Sequence, residues 1–324
     1  MVRRRAFSEY AIIDFIKRRF SQRGNILSLY DDAWGCILDK KYLIFSGDML
    51  VETTDAPPFM TIRQIAFKSF TISVSDIASK GVPPNYYYLI IGLPRRFGWK
   101  KFRELVKGWR DAIGLYGGIL MGGDTNEAPC VTISVIAVSL SNKPPILRTG
   151  GRLGDIVAVT GSFGETYVGF KLMRELAKIP EGLRKRVVKK ICMPVARLSE
   201  GMALNGVAAA CTDSSDGLAA SLYNLVEGTG NGILVEKLPV SKGLEEASRI
   251  IGASPFQMVF YGGEEFELVT VIPRGRWKEA VRKVNRAGGS LIPVGRIIGR
   301  EGVWYLREDG ETVKVLRKGW EHLR

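Results

Sequence analysis

The sequence predicts an α/β protein of two domains, each a mixed sheet packed with helices in α+β layers. Three observations predict it. The chain has 324 residues, more than one compact core usually carries. Apolar residues make up 46% and charged residues 25%, the balance of a chain that buries a core. Strand-like and helix-like patterns alternate on both sides of a Pro- and Gly-rich stretch, "SNKPPILRTGG" at 141–151. That stretch marks the junction between a domain of residues 1–145 and one of residues 146–324.

Within the first domain, residues 7–20 place Phe7, Ile12, Ile13, Ile16 and Phe20 near helical spacing. "GCILDKKYLIFSG" reads as two short strands around a tight polar turn. Thr61 with Gln64 three residues on is a capping-box signature, and the apolar period that follows predicts a helix to about Ser79. Gly81, Pro83 and Pro84 stop it. "NYYYLIIGLP" is a strand, 98–114 a helix, "GGILMGG" a strand delivering Asp124, and "CVTISVIAVSL" a long β-branched strand. The second domain begins with the strand "DIVAVTG", followed by helices near 165–177, 181–191, 195–208 and 217–227. The strand "GILVEKL", a helix at 242–251, the strand "FELVTVIP", a helix at 276–287 and the strand "LIPVGRI" complete it.

Composition excludes several classes of function. The basic N-terminus resembles the start of a signal peptide, but Glu9, Asp14 and Lys17 interrupt its apolar run. No segment approaches the roughly 18 apolar residues of a membrane span, so a cytoplasmic protein without a membrane partner is expected. Cys36, Cys130, Cys192 and Cys211 show no CxxC spacing, which argues against a disulfide framework or a thiolate zinc site. His322 is the only histidine, so neither a His-rich metal site nor a Ser-His-Asp mechanism fits. The net charge of +14 invites a nucleic-acid reading. Yet the basic runs at 3–5, 17–19 and 184–190 are dispersed, as on solvated helix faces, and no nucleic-acid partner is expected.

The chemistry is carried by acids. Asp31, Asp32, Asp48, Asp76, Asp124, Asp213 and Asp216 have Gly, Ser and Thr neighbours and read as lying on short turns where strand-like segments end. Any one of them has an ordinary explanation as a turn or cap residue. Gathered into one site, they would repel unless cations neutralised them. Oxygen-only ligands select Mg²⁺ or Ca²⁺, and Mg²⁺ normally arrives with phosphates. No GxxxxGK[ST] loop and no GxGxxG after a strand occurs. Phosphates would then be held by metal ions, glycine amides and an arginine, for which Arg148 in "ILRTGG" is placed; a plain surface arginine is the alternative.

"YDDAWG", "SGDMLVE", "VSDIASKGVPP", "MGGDT", "LRTGGRLGDIVAVTG", "DSSDGL" and "YGGEEFEL" occur in an order and spacing that resembles thiamine-monophosphate kinase. That family belongs to the aminoimidazole ribonucleotide synthetase superfamily, and the resemblance runs from about residue 27 to 268, with an echo in "GWEHL". It implies ATP-dependent phosphorylation of thiamine monophosphate to thiamine diphosphate, several Mg²⁺ ions, and a homodimer formed through the N-terminal domains. By matching positions, the implied metal ligands are Asp32, Ser46, Asp48, Asp76, Asp124 and Asp213, with Asp216 serving a further ion. The resemblance places Gly123 and Asp124 against the nucleotide, and Arg148 and Ser215 at its phosphates, Asp124 and Arg148 being the residues implied in catalysis. Glu264 falls where the family contacts the thiamine part, and Trp320 matches an aromatic packed on the substrate ring or serves as a C-terminal anchor. Three positions depart from the family: Tyr30 replaces a glycine, Gly47 a threonine, and Asp55 a histidine that approaches the substrate phosphate. An aspartate there repels phosphate unless a metal or a Lys or Arg intervenes. The alternatives are another ATP-dependent enzyme of the superfamily, such as one like aminoimidazole ribonucleotide synthetase, or a non-catalytic nucleotide- or nucleic-acid-binding protein.

Overall fold

A computed structural model describes residues 8–17, 19–20, 23–27, 31–173 and 179–319. Helix α1 (Glu9–Lys17) precedes a hairpin of β1 (Trp34–Leu38) and β2 (Lys41–Val51). The hairpin closes through Asp39 and Lys40, both at positive φ, the paired left-handed geometry that matches strand twist. A single-turn α2 (Glu52–Asp55) leads to α3 (Ile62–Ser79), which starts on the expected capping box between Thr61 and Gln64. Then come β3 (Tyr86–Leu93), α4 (Trp99–Tyr116), β4 (Ile119–Glu127) and β5 (Thr132–Ser141). These strands form one sheet in the order β1-β2-β5-β3-β4, with β3 and β4 parallel around the α4 crossover and the other pairs antiparallel.

Residues 142–155 hold neither helix nor strand. Beyond them lie β6 (Ile156–Val159), α5 (Glu165–Lys171), α6 (Glu181–Cys192), α7 (Leu198–Leu204), β7 (Ala210–Asp213), α8 (Leu218–Val226) and β8 (Gly232–Val235). The chain continues through α9 (Leu244–Ile251), α10 (Pro255–Tyr261), β9 (Leu268–Ile272), α11 (Trp277–Arg286), β10 (Ile292–Ile298), β11 (Gly302–Leu306) and β12 (Thr312–Val315). A second mixed sheet results, ordered β12-β11-β8-β10-β6-β9-β7, in which only β11 and β8 pair in parallel. The α/β class and the alternation of elements are therefore as the periodicities predict. Sequence reading missed α10, although Ser254 and Gln257 form a second capping box, and also β11 and β12. Residues 174–178 of the helix expected to end near 177 lie outside the described residues.

Helix α3 is the pivot. It packs on β2 and β5 of the first sheet with one side and on α7 and β7 with the other. Most of its residues are buried, including Lys68, Ser69, Ser73, Ser75 and Ser79, so its polar stripe faces protein instead of water. Its approach to α4 depends on Gly108, where a Cβ would fall 2.1 Å from the Arg63 carbonyl oxygen and 2.7 Å from Ala66 Cβ. Gly108→Ala is expected to cost about 1–3 kcal/mol through overpacking. Gly114→Ala, exposed on the same helix with nothing within 4 Å, is expected to gain about 0.5–1 kcal/mol. Opposite shifts of the urea midpoint are the check; equal shifts contradict the packing argument.

The far face of the first sheet is apolar and open. Phe45, Met49, Tyr86, Tyr88 and Ile90 stand on it, exposed, while their strand neighbours Ile44, Leu50, Tyr87, Leu89 and Ile91 are buried toward α3 and α4.

Candidate active site

The two sheets meet α3 at a cluster of acids, of which Asp213 is buried and the others are half-buried. Asp31 and Asp32 lie in the turn before β1, Ser46 and Asp48 on the inward face of β2, Asp76 in the last turns of α3, and Asp213 at the end of β7. One carboxylate oxygen each from Asp32, Asp76 and Asp213 lies within 4.8 Å of the others. The expectation that all these acids sit on short turns is corrected. Asp76 is helical, and Asp48 and Asp124 lie within strands; their Gly and Ser neighbours serve close packing and hydrogen bonding instead.

Hydroxyls line the cluster. Ser46 Oγ donates to Asp76 and lies 3.5 Å from Asp48 Oδ2. Ser75 Oγ donates to Asp213 (2.7 Å), and both Ser79 Oγ (2.7 Å) and Thr212 Oγ1 (2.8 Å) donate to Asp32. Two cations enter from one side: Lys80, paired with Asp31 and with Asp32 (3.0 Å), and Arg148, whose guanidinium pairs with Asp32. The charges divide the cluster. Burial raises the Asp32 pKa, but the charges of Lys80 and Arg148 outweigh it and hold the carboxyl below its usual range. Asp76 is pushed well above that range by burial and then by the charges of Asp48, Asp213 and Asp32. Asp48 is raised chiefly by burial, and Asp213 is pushed up to about 7 by burial and the charge of Asp32.

A pH prediction follows from these directions. An acid whose folded-state pKa is raised stabilises the fold below its unfolded pKa, and that contribution is lost as pH rises through the folded value. For Asp213 the window runs from 3.8 to about 7. With a chelator present, the melting temperature is expected to be higher at about pH 5.5 than at about pH 7.5, and divalent ions should erase the difference. A chelated protein that melts higher at pH 7.5 contradicts this.

The remaining predicted residues lie in several settings. Arg148 is at the cluster, its backbone N–H donating to Asp31 (3.0 Å). Ser215 is exposed and Asp216 half-buried in the loop after β7. Asp124 is exposed on β4, in register with Ile90 of the open face, and is not among the acids that share the 4.8 Å cluster. Gly123 beside it is required for packing, since a Cβ would fall 2.0 Å from the Leu89 carbonyl oxygen. Glu264 adopts φ +59 and accepts from Lys68 Nζ through both carboxylate oxygens at 2.7 Å. The same ammonium donates to the Asp55 carbonyl (2.6 Å), while the Asp55 carboxylate accepts the Val51 N–H (2.6 Å). Trp320 and Tyr30 lie outside the described residues. Sequence reasoning missed Lys68, Ser75, Ser79, Lys80 and Thr212. The signal was the stripe Ser69, Ser73, Asp76, Lys80 along α3, at the spacing of one helix face, which reads as a solvent face until the helix is known to be buried.

Comparison with known proteins agrees with this architecture. The family model of the AIR synthase related protein N-terminal domain matches residues 30–140. Thiamine-monophosphate kinase of Pyrococcus horikoshii is 32% identical over 312 residues, covering 95% of each chain. The chain belongs to the thiamine-monophosphate kinase family. Among solved structures, a member of this family from Aquifex aeolicus superposes with a TM-score of 0.78 at 25% identity, covering 94% of this chain and 98% of that one. AaThiL complexed with AMPPCP and TMP superposes with a TM-score of 0.83 at 26% identity, covering 98% and 97%. Among the described residues no helix is long and apolar enough to cross a membrane.

Proposed function

We propose that this chain transfers the terminal phosphoryl group of ATP in line to a phosphate oxygen of thiamine monophosphate, giving thiamine diphosphate, with Mg²⁺ as its cofactor. The observation that carries the reading is the oxygen-donor cluster of Asp32, Asp76 and Asp213, with Asp48 and Ser46 beside Asp76, in a chain similar over nearly its whole length to AaThiL complexed with AMPPCP and TMP. The donor set fits the ion: carboxylates and the Ser46 hydroxyl, with no nitrogen or sulfur among them. Mg²⁺ would supply charge neutralisation for two polyanions brought together. Asp32, Asp48, Asp76, Asp124 and Asp213 with Ser46 would hold it, with Asp216 serving a further ion.

The acceptor phosphate oxygen is already ionised near neutral pH, so no general base is required. Arg148 and Ser215 orient the donor phosphates, and Gly123 lies along the nucleotide. Glu264, held by buried Lys68, faces the thiamine part. Asp55 departs from the family without setting a free carboxylate against the substrate phosphate, because that carboxylate accepts the Val51 N–H. Residues 1–145 form the nucleotide-binding and dimerising domain and residues 146–324 complete the site, in a cytoplasmic homodimer. The open face bearing Phe45, Met49, Tyr86, Tyr88 and Ile90 supports that assembly, and Tyr88→Asp is expected to halve the mass seen by light scattering.

The test is turnover followed by ³¹P NMR with ATP, Mg²⁺ and either thiamine monophosphate or free thiamine. Thiamine diphosphate formed with stoichiometric ADP from the monophosphate alone is the expected result. Phosphorylation of free thiamine, or ADP release independent of acceptor, would sink the substrate assignment.

A further inference from the structure

Lys80 follows the last residue of α3 and is fully buried. An ammonium at a helix C-terminus meets the negative end of the macrodipole, but without counter-charges it would not stay ionised there. Here its three N–H groups face three acceptors: Asp31 Oδ1, Asp32 Oδ2 at 3.0 Å and the Cys211 carbonyl at 3.4 Å. Asp31 and Asp32 are themselves buried. Against these two carboxylates stand two cations, Lys80 and Arg148, so this side of the cluster is neutral in net charge.

The acceptor sites of Asp32 are also filled. Oδ1 receives Thr212 Oγ1 (2.8 Å) and the Arg148 guanidinium (Nε at 3.1 Å); Oδ2 receives Ser79 Oγ (2.7 Å) and Lys80. A carboxylate offers about four such sites, which leaves none for an ion unless a partner departs. Asp76 and Asp213 differ. Each receives one serine hydroxyl, from Ser46 and Ser75, and among the described residues neither they nor Asp48 is in an ion pair with Lys or Arg.

We propose that Lys80 is a built-in cation that takes the place of a divalent ion at Asp31 and Asp32, so that divalent-ion capacity resides with Asp48, Asp76 and Asp213. This inference rests on the metal reading above and changes it in one respect: Asp32 anchors Lys80 and Arg148 and is not itself a metal ligand. Lys80 is then a positioning residue. It fixes Asp32, and through Asp32 the Arg148 guanidinium, while sparing the protein one Mg²⁺.

Mn²⁺ binding to the full-length protein, without nucleotide, tests the assignment by calorimetry and by the EPR signal of free Mn²⁺. Lys80→Met is expected to bind about one further Mn²⁺ per chain, or the same number roughly tenfold more tightly, because two buried carboxylates lose a counter-charge. Its melting temperature in EDTA should fall and be restored by Mn²⁺. Should Lys80→Met fail to fold, Asp32→Asn decides: it should keep the wild-type Mn²⁺ count, whereas Asp76→Asn should lose an ion. Wild-type stoichiometry and affinity in Lys80→Met, or an ion lost from Asp32→Asn, overturns the role of Lys80 while leaving the metal reading intact. Absence of Mn²⁺ binding in the wild type, unchanged in Asp76→Asn, overturns the metal reading and this inference with it.

Discussion

Asp76→Asn is expected to lower thiamine diphosphate formation by about a thousandfold and, in the same protein, to raise stability in the absence of metal. The two effects share one cause. Asp76 is half-buried among Asp48, Asp213 and Asp32, and desolvation, then the charges of these acids, raises its pKa well above the ordinary range. Carrying a charge there costs stability that only a bound cation returns. An amide of the same shape still accepts the Ser46 hydroxyl, removes the charge, and should gain about 1–3 kcal/mol in EDTA. Thermal melts in EDTA beside initial rates in Mg²⁺ make the check. A variant that loses both activity and stability would point to a structural acid; one that keeps activity would remove Asp76 from the mechanism.

Glu267→Ala carries the largest expected loss of stability, about 3–5 kcal/mol. Its carboxylate is 1% exposed and accepts from Arg197 Nε and Nη2, both at 2.7 Å, from Thr160 Oγ1 at 2.8 Å and from Lys190 at 3.3 Å. Burial opposes its ionisation, but Lys190 and Arg197 win and hold its pKa below the usual value. Gly161 leaves it room, since a Cβ there would fall 2.4 Å from Glu267 Oε1. Truncation strips Arg197 of its main partner and Lys190 of its second, although Lys190 keeps Glu265 at 2.7 Å and Arg197 keeps Glu200 at 3.5 Å. Because Glu267 anchors the loop that carries Glu264, KM for the thiamine substrate should rise as well. The urea midpoint measures the first effect. A loss below about 1 kcal/mol would show that the remaining partners suffice. Since the folded-state pKa is depressed, the Glu267 contribution holds above the unfolded value of 4.5 and is lost as pH falls below it.

Local rules made much of the fold legible. The capping box at Thr61 placed the start of α3, and the β-branched run "CVTISVIAVSL" gave β5, whose residues alternate between buried and half-buried in the structure. What stayed hidden is tertiary. Nothing local says that Ser75, Ser79 and Lys80 of α3 and its end face Asp213 and Asp32 instead of water, so they went unnoticed. The aspartates were found by composition, but their setting was misjudged: a helix interior and two strands hold Asp76, Asp48 and Asp124. The strand β12 is four residues long at the sheet edge, and β11 beside it has five residues with only one buried, too short and too evenly exposed for a period-2 signal.

The most direct test of the account is the anomalous scattering of Mn²⁺ in crystals grown with AMPPCP. Peaks within about 2.2 Å of carboxylate oxygens of Asp48, Asp76 or Asp213, with the phosphate chain against them, are the predicted result. Peaks confined to surface acids, or phosphates bound away from this cluster, would contradict it.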